Sequence, residues 1–173
     1  MSLKKSLILG AVILSSLFII LVGWGRNRMN SITLSEFLER ADSSGIRLII
    51  YYSNPNSLVR LPVSVELLTE NFHDIKIIIQ DESRVFYTLE NLADVNLIPV
   101  EDEIRINAWI HYVFETENGQ RLFDVTFLRR DNHNIMIVNG VKVEANALFY
   151  EAIMPFLPAQ AAQALEIHLR SGH

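Results

Sequence analysis

The chain has 173 residues, half of them hydrophobic, a formal net charge of −5 and no cysteine. The missing cysteine excludes disulfides, thiolate metal sites, a cysteine nucleophile and lipoprotein-type lipid attachment. From residue 30 onward 11 basic residues stand against 20 acidic ones, a formal charge of −9 that disfavours binding to nucleic-acid phosphates. We therefore expect one globular domain of ordinary size with no nucleic-acid partner.

The amino-terminal part consists of a basic end, 1–5, and an uncharged apolar run, 6–25. Twenty helical residues span about 30 Å, the thickness of the hydrocarbon core of a bilayer. The run is longer than the apolar region of a cleaved signal peptide, about 7–15 residues, and no A-x-A pattern closes it. We therefore predict a single transmembrane anchor that contacts the lipid bilayer through 6–25. A cleaved signal, which releases a secreted domain, is the main alternative, and a helix buried in the core is a lesser one.

The charges that flank the apolar run decide its orientation by a small margin. Lys4 and Lys5 favour a cytoplasmic amino terminus by the positive-inside rule, whereas Arg26 and Arg28 oppose it. We predict a protein of the cell membrane whose C-terminal domain is extracytoplasmic. A polar connector, 26–32, joins that domain to the anchor.

The globular domain is predicted to span 33–173 and to begin with a helix. Thr33 and Glu36 form a T-x-x-E capping box, and apolar residues follow at helical spacing. "IRLIIYY" and "DIKIIIQ" are typical of strands. Between them, "LVRLPVSVELLTENF" predicts an extended segment and then a short helix capped by Ser64. "SRVFYTLENL" predicts a helix whose apolar face carries Val85, Phe86, Leu89 and Leu92.

Two Asn-Gly pairs predict two-residue β-hairpin turns. A turn at Asn118-Gly119 places Glu117 opposite Gln120. It also creates one apolar face from the pairs Ile110–Phe127, Tyr112–Val125 and Phe114–Phe123. A turn at Asn139-Gly140 does the same with the pairs Met136–Val143 and Val138–Val141.

The predicted fold class is α+β, an antiparallel β-meander packed on one face by helices and preceded by the transmembrane helix. The segment "NALFYEAIMPFLPAQAAQALEIHLR" supplies the covering helices, which Pro155 and Pro158 interrupt.

No recognised catalytic or metal-binding motif occurs in the sequence. The glycines beyond the anchor are too scattered to form a phosphate loop or a nucleotide-binding fingerprint. No histidine lies at a recognised ligand spacing, and the acidic run 101–103 lacks the alternation of an EF-hand loop. We predict no catalytic residue, no metal and no cofactor. An enzyme assembled from distant carboxylates is a lesser alternative.

Two regions are candidate surfaces for a ligand or a protein partner. One is the back of the first hairpin, where Trp109 is predicted opposite Leu128 and His111 lies beyond on the face away from the core. The other is the loop after the first strand, with aromatic, amide and basic groups at Tyr51, Tyr52, Asn54, Asn56 and Arg60. The simpler alternatives are that the domain itself covers the tryptophan, that the histidine bonds to a neighbour on the surface, and that "NPNS" is an ordinary turn.

The function predicted from these patterns is that of a non-catalytic accessory or interaction domain, anchored in the membrane and facing a protein partner there. The alternative is an extracytoplasmic sensor or carrier that holds a small ligand between helices and sheet. An internal pocket with apolar walls and a few polar groups favours the alternative, whereas a packed core with an exposed patch at Trp109 favours the interaction domain.

Overall fold

All described residues belong to one compact unit, Thr33–His173. The computed structural model describes residues 45–54, 61–93, 95–101, 103–129 and 134–171. The predicted anchor, connector and first helix lie outside these ranges, as do Asn56 and Arg60. Within them, no helix has the length and hydropathy that crossing a bilayer requires.

The centre of the fold is a six-stranded antiparallel sheet with the order β2-β1-β3-β4-β5-β6. Its strands are β1 (Ile46–Tyr52), β2 (Ile75–Ile79), β3 (Ala108–Thr116), β4 (Arg121–Leu128), β5 (Ile135–Val138) and β6 (Val141–Glu144). The predicted α+β class and the meander from β3 to β6 are confirmed. Because β1 lies between β2 and β3, its "IRLIIYY" sequence packs inside the sheet, whereas β2 lies at one edge.

The helices match the segments that helical spacing predicts. They are α1 (Val65–Leu67), which continues into a π-helical turn (Leu68–Phe72), then α2 (Glu82–Ala93), α3 (Ala147–Ile153), a 3-10 turn (Met154–Phe156) and α4 (Ala159–Ser171). Ser64 caps α1 as predicted, since its Oγ accepts a hydrogen bond of 3.3 Å from the Leu67 amide. On α2 the buried residues are Val85, Thr88, Leu89 and Leu92. Phe86 is only half-buried, so the predicted face is confirmed at three of its four positions.

The front face of the sheet, which carries Tyr112, Phe123 and Phe127, holds the main aromatic packing against α3. The Tyr112 hydroxyl donates a 3.2 Å hydrogen bond to the Phe149 carbonyl, and the rings of Phe127 and Tyr150 stack with centroids 3.8 Å apart. Burial raises the pKa of Tyr112 well above its ordinary value, so this hydroxyl stays protonated. The front face is the core that the sequence predicts.

The back face, which carries Tyr51, His111 and Thr126, is also covered, contrary to the prediction of helices on one face only. Below α1, Val63, Leu68 and Ala108 form a buried apolar cluster. Further along the sheet, Val100 and Ile104 pack against a buried cluster of Leu128, Ile135 and Ile137 on the back face. The sequences "IMIV" and "IRLIIYY" do not alternate regularly between apolar and polar residues, because these strands bury apolar side chains on both faces of the sheet.

The second hairpin turn matches its prediction and the first differs in detail. Asn139 and Gly140 both have positive φ, 48° and 79°, and the predicted strand pairs form around them. In the first hairpin the three predicted apolar pairs are present, but Thr116 rather than Glu117 faces Gln120. The Gly119 amide donates to the Thr116 carbonyl at 2.8 Å, and Gly119 has a φ of 80°. This is the longer hairpin turn that ends in a glycine bulge.

Candidate functional site

Trp109 and Leu128 are both buried, and they do not face each other. Ala108 pairs with Leu128 and Ile110 with Phe127, so Trp109 is the extra residue of a β-bulge in β3. Its ring meets Tyr52 at 6.1 Å, while Ala108 joins the back-face cluster. The predicted pairing is therefore wrong, because regular alternation breaks at the bulge. With Trp109 fully buried, the alternative in which the domain covers it is the one that the structure supports.

The end of β1 is held by hydrogen bonds to the two strands beside it. The Ser53 amide donates to the Trp109 carbonyl at 2.7 Å, and the Asp74 amide donates to the Tyr52 carbonyl at 2.8 Å. The Asn54 amide donates to the Asp74 carboxylate at 2.7 Å. Tyr52 is buried, whereas Asn54 is exposed. This part of the predicted loop site is firmly attached to the sheet.

Arg129 brings a half-buried cation to the same strand end. Its Nη2 donates a 3.1 Å hydrogen bond to the Ser53 hydroxyl. Burial lowers the pKa of Arg129, while the Asp74 carboxylate and the Tyr52 hydroxyl oppose that change. Burial and Asp74 together raise the pKa of Tyr52, which Arg129 partly offsets. Arg129 is not among the residues selected from the sequence, because its position beside Asp74 arises only from the strand order.

Tyr51 and His111, two of the predicted site residues, lie together on the back face. Their rings stack with centroids 6.2 Å apart, and the His73 ring meets the Tyr51 ring edge-on at 5.4 Å. Nδ1 of His111 lies 2.9 Å from the Thr126 hydroxyl oxygen, the residue predicted opposite it. The histidine does bond to a neighbour, but it is buried rather than on the surface.

The environment of His111 favours the neutral imidazole. Burial, followed by the positive charge of Arg121, lowers the pKa of His111 to about 4. The Glu66 carboxylate and a backbone hydrogen bond at Val125 oppose this decrease without reversing it. At neutral pH the ring is therefore an uncharged hydrogen-bonding group in the back-face packing.

Next to this cluster, the back face forms a groove of about 540 Å³ between α1, β4 and the β5–β6 turn. Its apolar wall includes Val65 and Ile137, and its polar groups include Arg121, Asp124 and Asn139. Arg121 Nη1 lies 3.6 Å from the Asp124 carboxylate, whose pKa burial raises. The Asn139 Nδ2 is buried and has no hydrogen-bond partner among the described residues.

This groove is not predicted from the sequence, although the sequence contains one signal for it. In "RLFDVTF", Asp124 and Thr126 alternate with core residues and so share the face of His111. The contribution of Asn139 arises from its turn, because its Oδ1 accepts a 2.9 Å hydrogen bond from the Asp124 amide. Residues from one hairpin therefore meet residues from the next.

The two edges of the sheet differ in how they are covered. Segment 98–100 closes the outer edge of β6: the Val100 amide donates to the Lys142 carbonyl at 3.0 Å and the Glu144 amide to the Ile98 carbonyl at 2.9 Å. Within the described part of the chain, β2 pairs only with β1. Four of its five residues are isoleucine, and Ile78 is 48% exposed. The exposed Phe72 side chain ends the π-helical turn just before this strand.

Neither the side chains in these regions nor similarity to other proteins identifies a reaction, a metal or a ligand for this chain. The described ranges contain no group of three or more histidine, aspartate or glutamate side chains placed to hold a metal ion. Comparisons with protein-family models, curated proteins and solved structures find no match to this chain. The candidate sites are thus defined by geometry alone: the β2 edge, and the back-face groove.

Proposed function

We propose that this chain is a membrane-anchored, extracytoplasmic accessory domain that binds a protein partner and does not catalyse a reaction. Among the described strands β2 pairs only with β1, and this edge position is the observation that supports the binding role. An edge strand presents backbone N–H and C=O groups to solvent, and it can add a strand from another polypeptide. The long apolar run 6–25, with Lys4 and Lys5 before it, supports the anchor and its orientation.

The composition of β2 favours binding through its edge. Natural edge strands are commonly protected by proline, several charges or a covering segment. β2 has the sequence IKIII, with one lysine and no proline. Segment 98–100 covers the opposite edge of the same sheet, so only the β2 side offers a strand-binding surface among the described strands.

The binding role is tested by crosslinking the full-length chain in membranes with a photoreactive amino acid at exposed Gln80, which directly follows β2, and by comparing two edge variants. Ile78→Asp places a charge on the β2 edge, and we expect it to reduce the yield of crosslinked partner at least about fivefold. Ile98→Asp is the matched control, since Ile98 is 50% exposed but lies at the closed edge. Equal losses in the two variants, or none in either, contradict a role for the β2 edge.

The proposed placement has its own test in protease protection of intact cells. An extracytoplasmic domain is digested from outside, leaving a short membrane-embedded fragment. Protection of the domain until the cells are lysed contradicts the proposed orientation, and recovery of the intact domain in the medium supports the cleaved-signal alternative.

The back-face groove supports a second candidate function, the binding of a small ligand. Its apolar wall and its convergent Arg121, Asp124 and Asn139 side chains have the composition of a ligand site. Thermal-shift screening against metabolites and metals tests it, because a ligand that binds only the folded state raises Tm. Arg121→Gln should remove such a shift, whereas Arg84→Gln, on the groove between α2 and α3, should not.

A further inference from the structure

We propose that the partner at the β2 edge is a second copy of this chain, paired through an antiparallel β2–β2 ladder. This inference rests on the proposed binding role of that edge and makes the role specific. It follows from three properties of β2: which backbone groups point outward, how the strand complements itself, and how small the resulting interface is.

The hydrogen bonds of β1 determine which backbone groups of β2 point away from β1. The Ser53 amide donates to the Trp109 carbonyl and the Glu117 amide to the Gly45 carbonyl, and both pairs continue the β1–β3 register. Odd-numbered residues of β1 therefore bond to β3, and even-numbered residues bond to β2. Since Ile50 pairs with Ile77, the N–H and C=O groups of Lys76 and Ile78 point away from β1, toward the open edge.

These outward groups match their own copies when the two strands run antiparallel about a twofold axis at Ile77. Lys76 of each copy then faces Ile78 of the other, and the two pairs exchange four main-chain hydrogen bonds. On the front face Ile77 meets its own copy, and Ile75 meets Ile79. All four isoleucines of each strand thus gain an apolar or aliphatic neighbour.

Charge selects this register over those displaced by two residues. In the register centred on Lys76, this lysine lies directly opposite its own copy. In the register centred on Ile78, Asp74 lies opposite Glu82 and Ile75 lies opposite Asp81. Displacement by a single residue reverses the faces and brings Lys76 onto the isoleucine side. In the register centred on Ile77, no like charges stand directly opposite each other within the strand.

The size of the contact indicates a weak and reversible dimer. Five residues per copy are far fewer than the about 20–30 residues per side of a standard stable interface. Two chains held in one membrane have a much higher effective concentration than two free domains. We therefore expect the pairing in the membrane and not in dilute solution, which agrees with the proposed anchor.

The test uses the natural absence of cysteine in the full-length chain, expressed in membranes and treated with a membrane-permeable oxidant. In the proposed register the Cβ atoms of the two Ile77 residues are about 5 Å apart, near the range of a disulfide. Those of the two Ile75 residues are four positions, or about 13 Å, apart. We expect Ile77→Cys to form at least about fivefold more disulfide-linked dimer than Ile75→Cys. Both residues are half-buried on the same face, so the two variants are matched in their effect on folding.

Two further substitutions are made in the Ile77→Cys chain. Ile78→Lys should reduce the dimer at least about fivefold, while Ile98→Lys should leave it unchanged. Equal crosslinking of Ile77→Cys and Ile75→Cys indicates random collision and overturns the proposed pairing. If Ile77→Cys gives no dimer while Ile78→Asp still reduces capture of a different protein, the second copy is wrong and the binding role of the edge remains. If both experiments fail, the edge has neither role.

Discussion

His111 and Thr126 share a hydrogen bond of 2.9 Å between Nδ1 and Oγ1, across β3 and β4 on the back face of the sheet. Both side chains are almost fully buried. The stacked Tyr51 ring lies on the β1 side of the histidine. A buried imidazole in this position contributes to packing only while it is neutral, and this makes the stability of the domain depend on pH.

The pH dependence follows from the lowered pKa of His111, about 4 against an ordinary value of 6.5. Between these values the unfolded chain binds a proton that the folded domain excludes. The contribution of neutral His111 to the free energy of unfolding is therefore fully present above about pH 6.5. It is lost as the pH falls toward 4, and the total loss is about 3 kcal/mol. Urea unfolding at pH 7.5 and pH 5 should show about 2 kcal/mol of this loss.

His111→Asn isolates this contribution from that of the carboxylates. The variant should be less stable at pH 7.5, since it loses packing against Tyr51, but it should lose about 2 kcal/mol less than the natural chain between pH 7.5 and 5. Parallel pH profiles of the two proteins contradict a buried neutral histidine.

A fragment that begins at residue 30 is expected to be soluble and to unfold cooperatively. The described front-face and back-face clusters lie entirely within Thr33–His173. Trp109 is the only tryptophan of this fragment, so its fluorescence reports unfolding directly. Coincident transitions in fluorescence and in circular dichroism support one cooperative domain. Aggregation of the fragment means that residues before 30 are needed for the core.

Trp109→Ala is expected to destabilise this fragment by about 3–5 kcal/mol, because it removes a fully buried indole at the β3 bulge. Trp109→Phe keeps an aromatic ring against Tyr52 and should cost markedly less. Chemical unfolding followed by circular dichroism measures both. A loss below about 1 kcal/mol for the alanine variant contradicts the buried position, and it restores the surface patch that the sequence predicted.

Asn139 combines two structural roles that separate substitutions distinguish. Its φ of 48° is unfavourable for most side chains, and its Oδ1 accepts the Asp124 amide at 2.9 Å. Asn139→Gly keeps the backbone conformation and loses the hydrogen bond, a cost of about 1 kcal/mol. Asn139→Ala also strains the turn, so it should cost about 1 kcal/mol more. If the two variants have equal stability, the turn does not require the left-handed conformation.

The strands that could be predicted from sequence are those in which local pattern and tertiary environment agree. Asn139-Gly140 fixes its turn because both residues adopt positive φ there, and the register follows. The apolar pairs around Asn118-Gly119 were also predicted correctly, although the turn itself is one residue longer. A bulge near the turn absorbs the difference, so the error did not spread along the hairpin.

The candidate sites were much less predictable, because they depend on contacts between segments far apart in the chain. Tyr51 and His111 were each selected from sequence, but only the β1–β3 pairing places their rings together. Asp74 and Arg129 are 55 positions apart in the chain and interact electrostatically at one strand end. The edge position of β2 likewise depends on the strand order, which no local pattern encodes.

The sequence by itself determined the α+β class, the apolar front face and the turns between β3 and β6, since period, turn chemistry and side-chain pairing act over a few residues. It also contains the apolar run on which the predicted anchor rests. Only the tertiary structure decided that Trp109 lies in a bulge and that Val63 and Leu68 pack against Ala108 on the back face. It also decided that segment 98–100 closes one sheet edge, while at the other edge β2 pairs with β1 alone among the described strands. Those features depend on the spatial order of the strands in the sheet and on which segments pack against its faces and edges. Neither is determined by residues that are close together in the chain.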